Sequence, residues 1–199
     1  TEKKISGVAL KNDGTKFGVA SKVLAVDANG NTAEGTVDAN GKYEITLVGV
    51  AASGKKSKLI DGNTIIRISE GANTGDLVIA EDQTNVNGNV VTYATSQLLL
   101  GTSGLDLDTL FADVEDANAA GKKGKGTISS AAVLFALAKV QVLTEEIFKD
   151  SAKSVVGTIF GYDSAGNSTV NVDKLLSGGA TDKEVTLLKA ASELNSDLL

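Results

Sequence analysis

The chain has 199 residues, enough for one large domain or two small ones with a buried core. It contains no Cys, His, Met, Trp or Pro, which excludes catalysis and metal binding through cysteine or histidine. Hydrophobic residues make up 42% of the sequence and charged residues 22%, proportions that are typical of a folded globular protein rather than a disordered chain.

The charge distribution argues against a nucleic-acid partner. The formal net charge is −6, and Arg67 is the only arginine, whereas contacts with phosphates require clustered cations and commonly use arginine. The longest apolar stretch, at residues 131–138, is far shorter than the roughly 20 residues that span a bilayer. We therefore expect no transmembrane segment.

Short runs rich in Val, Ile and Thr alternate with turn residues in the first part of the chain, a pattern that predicts antiparallel β-structure. Seven strands are predicted, over residues 4–10, 16–26, 33–37, 42–48, 64–69, 76–80 and 85–91. Turns at residues 12–14, 27–31 and 38–41 place Asn or Asp beside Gly, and these residues accept the positive φ of tight hairpins. We predict a β-sandwich over residues 1–91.

The hydrophobic period becomes helical after residue 91. Apolar residues at helical spacing predict a first helix that includes Leu107, Leu110, Phe111 and Val114. Asp106 or Asp108 would cap its start, and Gly121 would follow its end.

Further helices are predicted in the remaining sequence. A long one runs from residue 129 to residue 156 or 160, and residues 181–184 read Thr-Asp-Lys-Glu, a capping box that begins another. The predicted fold class is therefore α+β, with an N-terminal antiparallel β-sandwich at residues 1–91 and a C-terminal helical bundle at residues 92–199 packed against it.

Three segments carry a family resemblance. Residues 5–10 read ISGVAL, residues 23–30 read VLAVDANG and residues 35–45 read GTVDANGKYEI. Together they resemble the carboxypeptidase-regulatory-like, transthyretin-like β-sandwich modules of bacterial and archaeal surface proteins, over about residues 4–48 of this chain. The resemblance implies a β-sandwich that serves as a structural spacer or an adhesion unit outside the cell, and it implies no specific activity.

Carboxylates are the remaining groups for acid–base catalysis. The candidate pairs of acidic residues are Asp106/Asp108, Glu115/Asp116 and Glu145/Glu146. All three lie at predicted helix starts or polar faces, where acidic side chains are favourable or solvated. We predict no catalytic residue and no small-molecule substrate, although an enzyme that uses Asp and Glu alone is an alternative.

One turn carries a pattern of oxygen ligands. Asp27, Asn29 and Asn31 alternate as in a calcium-binding loop, but Thr32 stands where an EF-hand needs Gly and Asp38 stands where it prefers Glu. A different calcium site formed by Asp27, Asn29, Asn31 and Asp38 is one interpretation, and a simple hairpin turn is the other. No other cofactor is expected.

The composition predicts an exported protein. The sequence starts with Thr rather than Met, lacks Cys, and is rich in Gly, Asn, Thr and Ser, so we expect a secreted chain at the cell surface. Asn167 begins the only Asn-x-Ser/Thr sequence. It is a glycosylation candidate in a host that glycosylates, and otherwise an ordinary turn residue.

The first predicted strand has little charge on either face. Its uncharged residues are Ile5, Ser6, Gly7, Val8, Ala9 and Leu10. Such a strand needs neighbours on both sides. Either it is covered within its own sandwich, or it completes the sheet of a neighbouring copy by strand addition, which links subunits head to tail.

These observations predict an exported structural protein that assembles with copies of itself. The expected assembly is an extracellular filament of the pilus or fimbria kind, or a surface layer. The alternative is a monomeric cell-surface module that binds a carbohydrate or a protein.

Overall fold

Six β-strands and two α-helices form within the described part of the chain. The computed structural model describes residues 2–49, 63–79, 83–101, 105–122, 128 and 164–165. The strands are β1 (Glu2–Val8), β2 (Lys22–Asp27), β3 (Thr32–Thr36), β4 (Lys42–Val48), β5 (Thr64–Glu70) and β6 (Asn73–Ile79). The helices are α1 (Val90–Gly101) and α2 (Leu107–Ala119).

The strands form two antiparallel sheets. One sheet pairs β1 with β4, and the other has the order β3-β2-β5-β6. Short turns connect β2 to β3 and β5 to β6, whereas β1 and its partner β4 are separated along the chain by two other strands. The prediction of antiparallel β-structure is confirmed.

One buried hydrophobic cluster receives side chains from both sheets. Because a strand directs alternate side chains to opposite faces, the alternating apolar residues of each strand meet in this cluster. Its large members are Ile5, Phe17, Val23, Val37, Tyr43, Ile45, Leu47, Ile66, Ile68, Leu77, Ile79, Val86 and Tyr93. Full burial of each such side chain contributes about 1.5–3 kcal/mol, so this cluster is the main source of stability in the described residues.

The opposite face of the four-stranded sheet is also buried. Its apolar residues are Leu24, Val26, Ile65 and Val78. Helix α2 packs on β2 and β3, and α1 packs on β6. The Val78 N–H on the edge strand β6 donates to Ser96 Oγ of α1 at 2.9 Å, so the helix also satisfies a backbone donor that an edge strand would otherwise expose.

The predicted turns are confirmed by the backbone. Gly14, Gly30 and Gly41 have φ values of 80°, 77° and 75°, the left-handed region that glycine enters without strain. In the turn between β2 and β3, the Asp27 N–H donates to Asn31 O at 3.0 Å, which closes the hairpin.

The predicted strand over residues 16–26 is shorter in the structure, because a tight turn precedes β2. The Ser21 N–H donates to Gly18 O at 3.1 Å. Within this turn Ala20 has a φ of 66° and is the only positive-φ residue other than glycine among those described. A left-handed backbone costs an L-residue about 1–2 kcal/mol.

Replacing Ala20 with glycine is therefore expected to stabilise the protein. The strain that is removed exceeds the about 0.5–1 kcal/mol that glycine costs through backbone entropy, so the free energy of unfolding should rise by about 0.5–1 kcal/mol. Urea titration would measure this change in the free energy of unfolding. The matched control is Ala39→Gly, because Ala39 lies in an exposed turn without positive φ and should lose stability. Equal losses of stability in Ala20→Gly and Ala39→Gly would contradict the assignment of backbone strain to Ala20.

The predicted strand over residues 85–91 is wrong. Residues 85–88 lie along β1 through isolated parallel bridges only, and α1 begins at Val90. Asn89 causes the change, because its Oδ1 accepts hydrogen bonds from the Val91 and Thr92 N–H groups, each at 3.0 Å. Its own N–H donates to Thr92 Oγ1 at 2.9 Å, and such a reciprocal cap starts a helix.

The first predicted helix is confirmed as α2. Asp106 caps it by accepting hydrogen bonds from the Asp108 and Thr109 N–H groups, and Gly121 follows its end with a φ of 68°. The helices predicted at residues 129–160 and after 181 lie outside the described residues. No helix among the described residues has the length and hydropathy that crossing a bilayer requires.

Candidate functional site

The strand β1, singled out in the sequence, is hydrogen-bonded along both edges by segments distant in the chain. On one edge it pairs with β4, from Glu2 opposite Val48 to Val8 opposite Lys42. On the other edge it meets residues 84–88, which run parallel to it. We call these residues the flanking segment.

Four backbone hydrogen bonds join residues 6–10 to the flanking segment, whereas the Val8 N–H donates to the Asn87 side chain, at Oδ1, at 2.9 Å. The Ser6 N–H donates to Thr84 O at 3.0 Å, and the Val86 N–H donates to Ser6 O at 2.9 Å. The Gly88 N–H donates to Val8 O at 3.0 Å, and the Leu10 N–H donates to Gly88 O at 2.7 Å. The predicted strand from Ile5 to Leu10 therefore forms hydrogen bonds along both edges with other segments of the same chain.

The side chains of β1 alternate as the sequence predicts. Ile5 and Ala9 are fully buried in the hydrophobic cluster, and Gly7 between them is buried. Ser6 and Val8 are partly exposed on the other face. Leu10 departs from this alternation, because it is buried as well.

Two buried tyrosines tie the flanking segment and the end of β1 to the rest of the fold. Tyr43 Oη donates to Val86 O at 2.6 Å, and Tyr93 Oη donates to Leu10 O at 2.8 Å. Burial raises the pKa of both phenols, which therefore remain donors. The Tyr93 ring also lies so close to Gly75 and Gly88 that a Cβ at either position would overlap it.

The structure separates the predicted calcium ligands. Asp27, Asn29 and Asn31 lie together in the turn before β3, whereas Asp38 lies in the turn after it. Asp27 Oδ1 accepts the Asn29 and Asn31 N–H groups, and Asp27 Oδ2 accepts Asn31 Nδ2, all at 2.9 Å. Among the described residues, no group of three or more Asp or Glu side chains is placed to hold a metal ion.

Asp38 repeats the role of Asp27 in a more exposed turn. Asp38 Oδ1 accepts the Asn40 and Lys42 N–H groups, each at 2.9 Å. In both turns the carboxylate bonds to backbone N–H groups two and four residues later, as short polar side chains commonly do in turns. The arrangement in this part of the structure corresponds to the hairpin interpretation, and calcium binding stays a prediction.

The Asp27 carboxyl is fully buried. Desolvation raises its pKa above the ordinary value of 3.8, although hydrogen bonds from Asn31 and Asn29 and the charge of Lys3 oppose the change. Thr64 lies opposite Asp27 in the pairing of β2 with β5, but its buried Oγ1 has no hydrogen-bond partner among the described residues. The ionised form of Asp27 is therefore disfavoured by its surroundings.

This burial predicts a pH dependence of stability. The folded state binds the Asp27 proton more tightly than the unfolded chain, so the contribution of this group is complete below the ordinary pKa of 3.8 and is lost as pH rises through the folded pKa. Asp27→Asn abolishes the titration. Relative to the unmodified chain, its free energy of unfolding should therefore rise as pH increases from the ordinary pKa of 3.8 through the raised pKa of the folded state, by about 1.4 kcal/mol for each pKa unit between the two states.

Urea titrations at several pH values would measure this difference. Asp38→Asn is the matched control, because it changes the same group in an exposed turn, and its relative stability should not rise in this way. A relative stability of Asp27→Asn that falls with increasing pH would show that the fold favours the Asp27 anion.

The other predicted site residues have separate positions. Asp106 caps α2, Asp108 bonds to Arg67, and Glu115 bonds to Lys22, so these acids do not converge on one site. Asn167 and the Glu145/Glu146 pair lie outside the described residues.

Sequence reasoning missed the partners of β1. Residues 85–88 were predicted as part of an ordinary strand, and no sequence pattern linked Tyr43 or Tyr93 to β1. Gly88, between Asn87 and Asn89, was a usable signal, because a glycine in a strand pattern indicates a close approach of another segment.

Comparison with known proteins adds no relative. No protein-family model matches the chain, and neither the curated proteins nor the solved structures give a match. The resemblance to carboxypeptidase-regulatory-like modules over about residues 4–48 therefore stays a prediction.

Proposed function

We propose that this protein is an exported structural subunit that assembles with copies of itself into an extracellular filament or a surface layer, and that β1 joins the subunits. The observation that carries the proposal is the position of β1 between β4 and the flanking segment. Both neighbours are distant in the sequence, and no hairpin connects β1 to either of them. A β1 strand supplied by another copy of the chain would make the same backbone hydrogen bonds to β4 and the flanking segment.

The chemistry of the seated strand supports this mode of assembly. Main-chain hydrogen bonds along both edges supply affinity, and the buried side chains of Ile5 and Ala9 supply specificity, as in other strand additions. A contact that passes a strand from each copy to the next does not close on itself, so it propagates as a fibre. No reactive side chain is needed for this role, and no catalytic activity or nucleic-acid partner is proposed.

We further propose that the two sheets face each other as a β-sandwich and that residues 92–199 form a helical bundle against it. The shared hydrophobic cluster supports the first part, and the packing of α1 and α2 on the strands supports the second. Secretion to the cell surface is proposed with this architecture.

The alternative role as a sugar-binding adhesion module has less support. Carbohydrate sites commonly use exposed aromatic rings, but every aromatic side chain in the described part of the chain is buried, namely Phe17, Tyr43, Tyr93 and Phe111. We therefore do not propose carbohydrate binding.

Engineered disulfides test whether β1 passes between copies. The chain has no cysteine, and Lys4 lies directly opposite Thr46 in the pairing of β1 with β4. Paired Cα atoms lie about 4.5–5.5 Å apart, within the range of a disulfide. Oxidised assemblies of a Lys4→Cys/Thr46→Cys variant should give a ladder of covalent oligomers on a non-reducing gel.

The control pair is Lys4→Cys/Lys42→Cys. Lys42 lies opposite Val8, about 13 Å along the strand from the partner of Lys4, so this pair should give no ladder. A Lys4→Cys/Thr46→Cys variant that is cross-linked only within single chains would overturn the proposal.

A further inference from the structure

We infer that the groove between β4 and the flanking segment receives residues 2–10 of a second copy of this chain in a single register, and that Gly7 sets that register. This inference rests on the proposed function and identifies its contact surface and its specificity determinant. In the structure, the strand between β4 and the flanking segment has this chain's own sequence. The occupant that fits the groove in an assembly is therefore the same strand of a second copy.

Gly7 lies at a narrow point of the groove. A Cβ at this position would be 1.9 Å from Val86 O, 2.6 Å from Val86 C and 3.1 Å from Tyr43 Cε1. The first two distances are impossible for real atoms, so any residue other than glycine forces the flanking segment away from β1. The bonds between Ser6, Val8 and the flanking segment would then be lost.

The narrow point cannot widen easily. The Val86 carbonyl oxygen accepts a hydrogen bond from the buried Tyr43 hydroxyl at 2.6 Å. The Val86 N–H donates to Ser6 O at 2.9 Å. Turning this carbonyl away would leave a buried phenol without its acceptor, which is unfavourable. The backbone at Val86 is therefore held in place from two directions.

This geometry admits one register. A shift by one residue would turn Ile5 and Ala9 away from the core, because the side-chain period of a strand is two. A shift by two residues would keep the faces but would place Ile5 or Ala9 against Val86 O. Gly7 is the only glycine among residues 2–10, and the pattern Ile-x-Gly-x-Ala occurs once in the whole sequence, so the groove selects this strand of the chain.

A mixing experiment with full-length chains separates donor from acceptor. Donor chains carry Lys4→Cys, acceptor chains carry Thr46→Cys, and the two are unfolded, mixed, refolded and oxidised. Mass spectrometry then measures the peptide pair that joins position 4 of one chain to position 46 of another. Gly7→Ala is placed in the donor in one mixture and in the acceptor in a second.

The expected result is asymmetric. Gly7→Ala in the donor should lower the joined pair about tenfold or more, because its strand no longer fits. In the acceptor it should leave the joined pair unchanged or raise it, because the groove is intact while the acceptor's own strand competes less well. Gly71→Ala adds the same methyl group in an exposed turn with a φ of 57° and nothing within 4 Å. It strains the backbone away from the groove, so it controls for lost stability and should leave both directions unchanged.

The outcomes separate the two proposals. No joined pair between unmodified strands would overturn the strand-exchange function, and this inference with it. If Gly7→Ala changes the amount of joined pair equally in donor and acceptor, or changes it in neither, the inference alone is overturned. If the Gly7→Ala chain does not fold by itself, its recovery as a folded acceptor after mixing with the unmodified donor supports the inference, and failure of that recovery contradicts it.

Discussion

Replacing Arg67 with methionine is expected to lower the free energy of unfolding by about 3–5 kcal/mol, because it leaves the Asp76 carboxylate buried without a counter-ion. Arg67 Nε lies 2.7 Å from Asp76 Oδ1, and Arg67 Nη2 lies 3.0 Å from Asp76 Oδ2. The side chain of Asp76 is only 6% exposed and that of Arg67 only 14%. The hydrogen bonds that Arg67 donates to Asp76 raise the pKa of the guanidinium, so Arg67 stays charged.

The same guanidinium also holds α2 on the sheet. Arg67 Nη1 donates to Asp108 Oδ1 at 2.7 Å, and the guanidinium carbon lies 5.0 Å from the centre of the Phe111 ring. Loss of Arg67 should therefore loosen α2 as well as destabilise β5 and β6. Hydrogen exchange of the α2 amides would detect this loosening beside the urea titration.

Two variants define the cause of the Arg67→Met effect. Asp108→Asn removes only the exposed partner, whose side chain is 90% exposed, and should cost less than about 1 kcal/mol. The double variant Arg67→Met/Asp76→Leu removes both buried charges and should recover much of the stability. If Arg67→Met costs no more than Asp108→Asn, the buried pair does not stabilise the fold.

Local signals predicted the elements that local chemistry controls. The Asn/Asp-Gly turns at Gly14, Gly30 and Gly41 formed as expected, because only the residues of each turn decide its φ values. Helix α2 was predicted with Asp106 or Asp108 as its cap for the same reason, and Asp106 is the cap in the structure. In each case the partners in the decisive hydrogen bonds lie within a few residues of each other.

The start of α1 shows how a short alternating pattern can predict a strand where a helix begins. Residues 85–91 alternate apolar and polar residues like a strand, but short runs of this kind do not distinguish a strand from a helix. The decisive feature was the reciprocal cap between Asn89 and Thr92. An Asn followed three residues later by Thr was visible in the sequence and gave a reason to expect a helix start.

The candidate site depended on contacts that no local pattern contains. The sequence indicated that β1 needs two neighbours, but not that they are β4 and residues 84–88, because these pairings join residues about 40 and 80 positions apart. The oxygen-rich turn at Asp27 was equally ambiguous. Its carboxylate accepts the N–H groups of its own turn, and sequence spacing does not distinguish that use from metal coordination.

Replacing Ile5 with aspartate is expected to abolish assembly and to cost about 5 kcal/mol or more of folding free energy. Ile5 is fully buried in the hydrophobic cluster, so the change loses about 1.5–3 kcal/mol of apolar burial. It also places a charge in the core without a partner, at a cost of several kcal/mol. The altered β1 would fit neither its own groove nor that of a neighbour. Electron microscopy and sedimentation would measure assembly, and urea titration would measure stability.

The neighbouring residue provides the matched control. Lys4→Asp introduces the same side chain on the exposed face of β1, where the Lys4 side chain is 65% exposed and lies 3.8 Å from Glu44, so it should cost about 1 kcal/mol or less and leave assembly intact. Ile5→Val, which removes one methylene, should cost about 0.5–1.5 kcal/mol and also assemble. Because the two positions differ only in the face they occupy, filaments from Ile5→Asp that match those of Lys4→Asp would mean that β1 does not join the subunits.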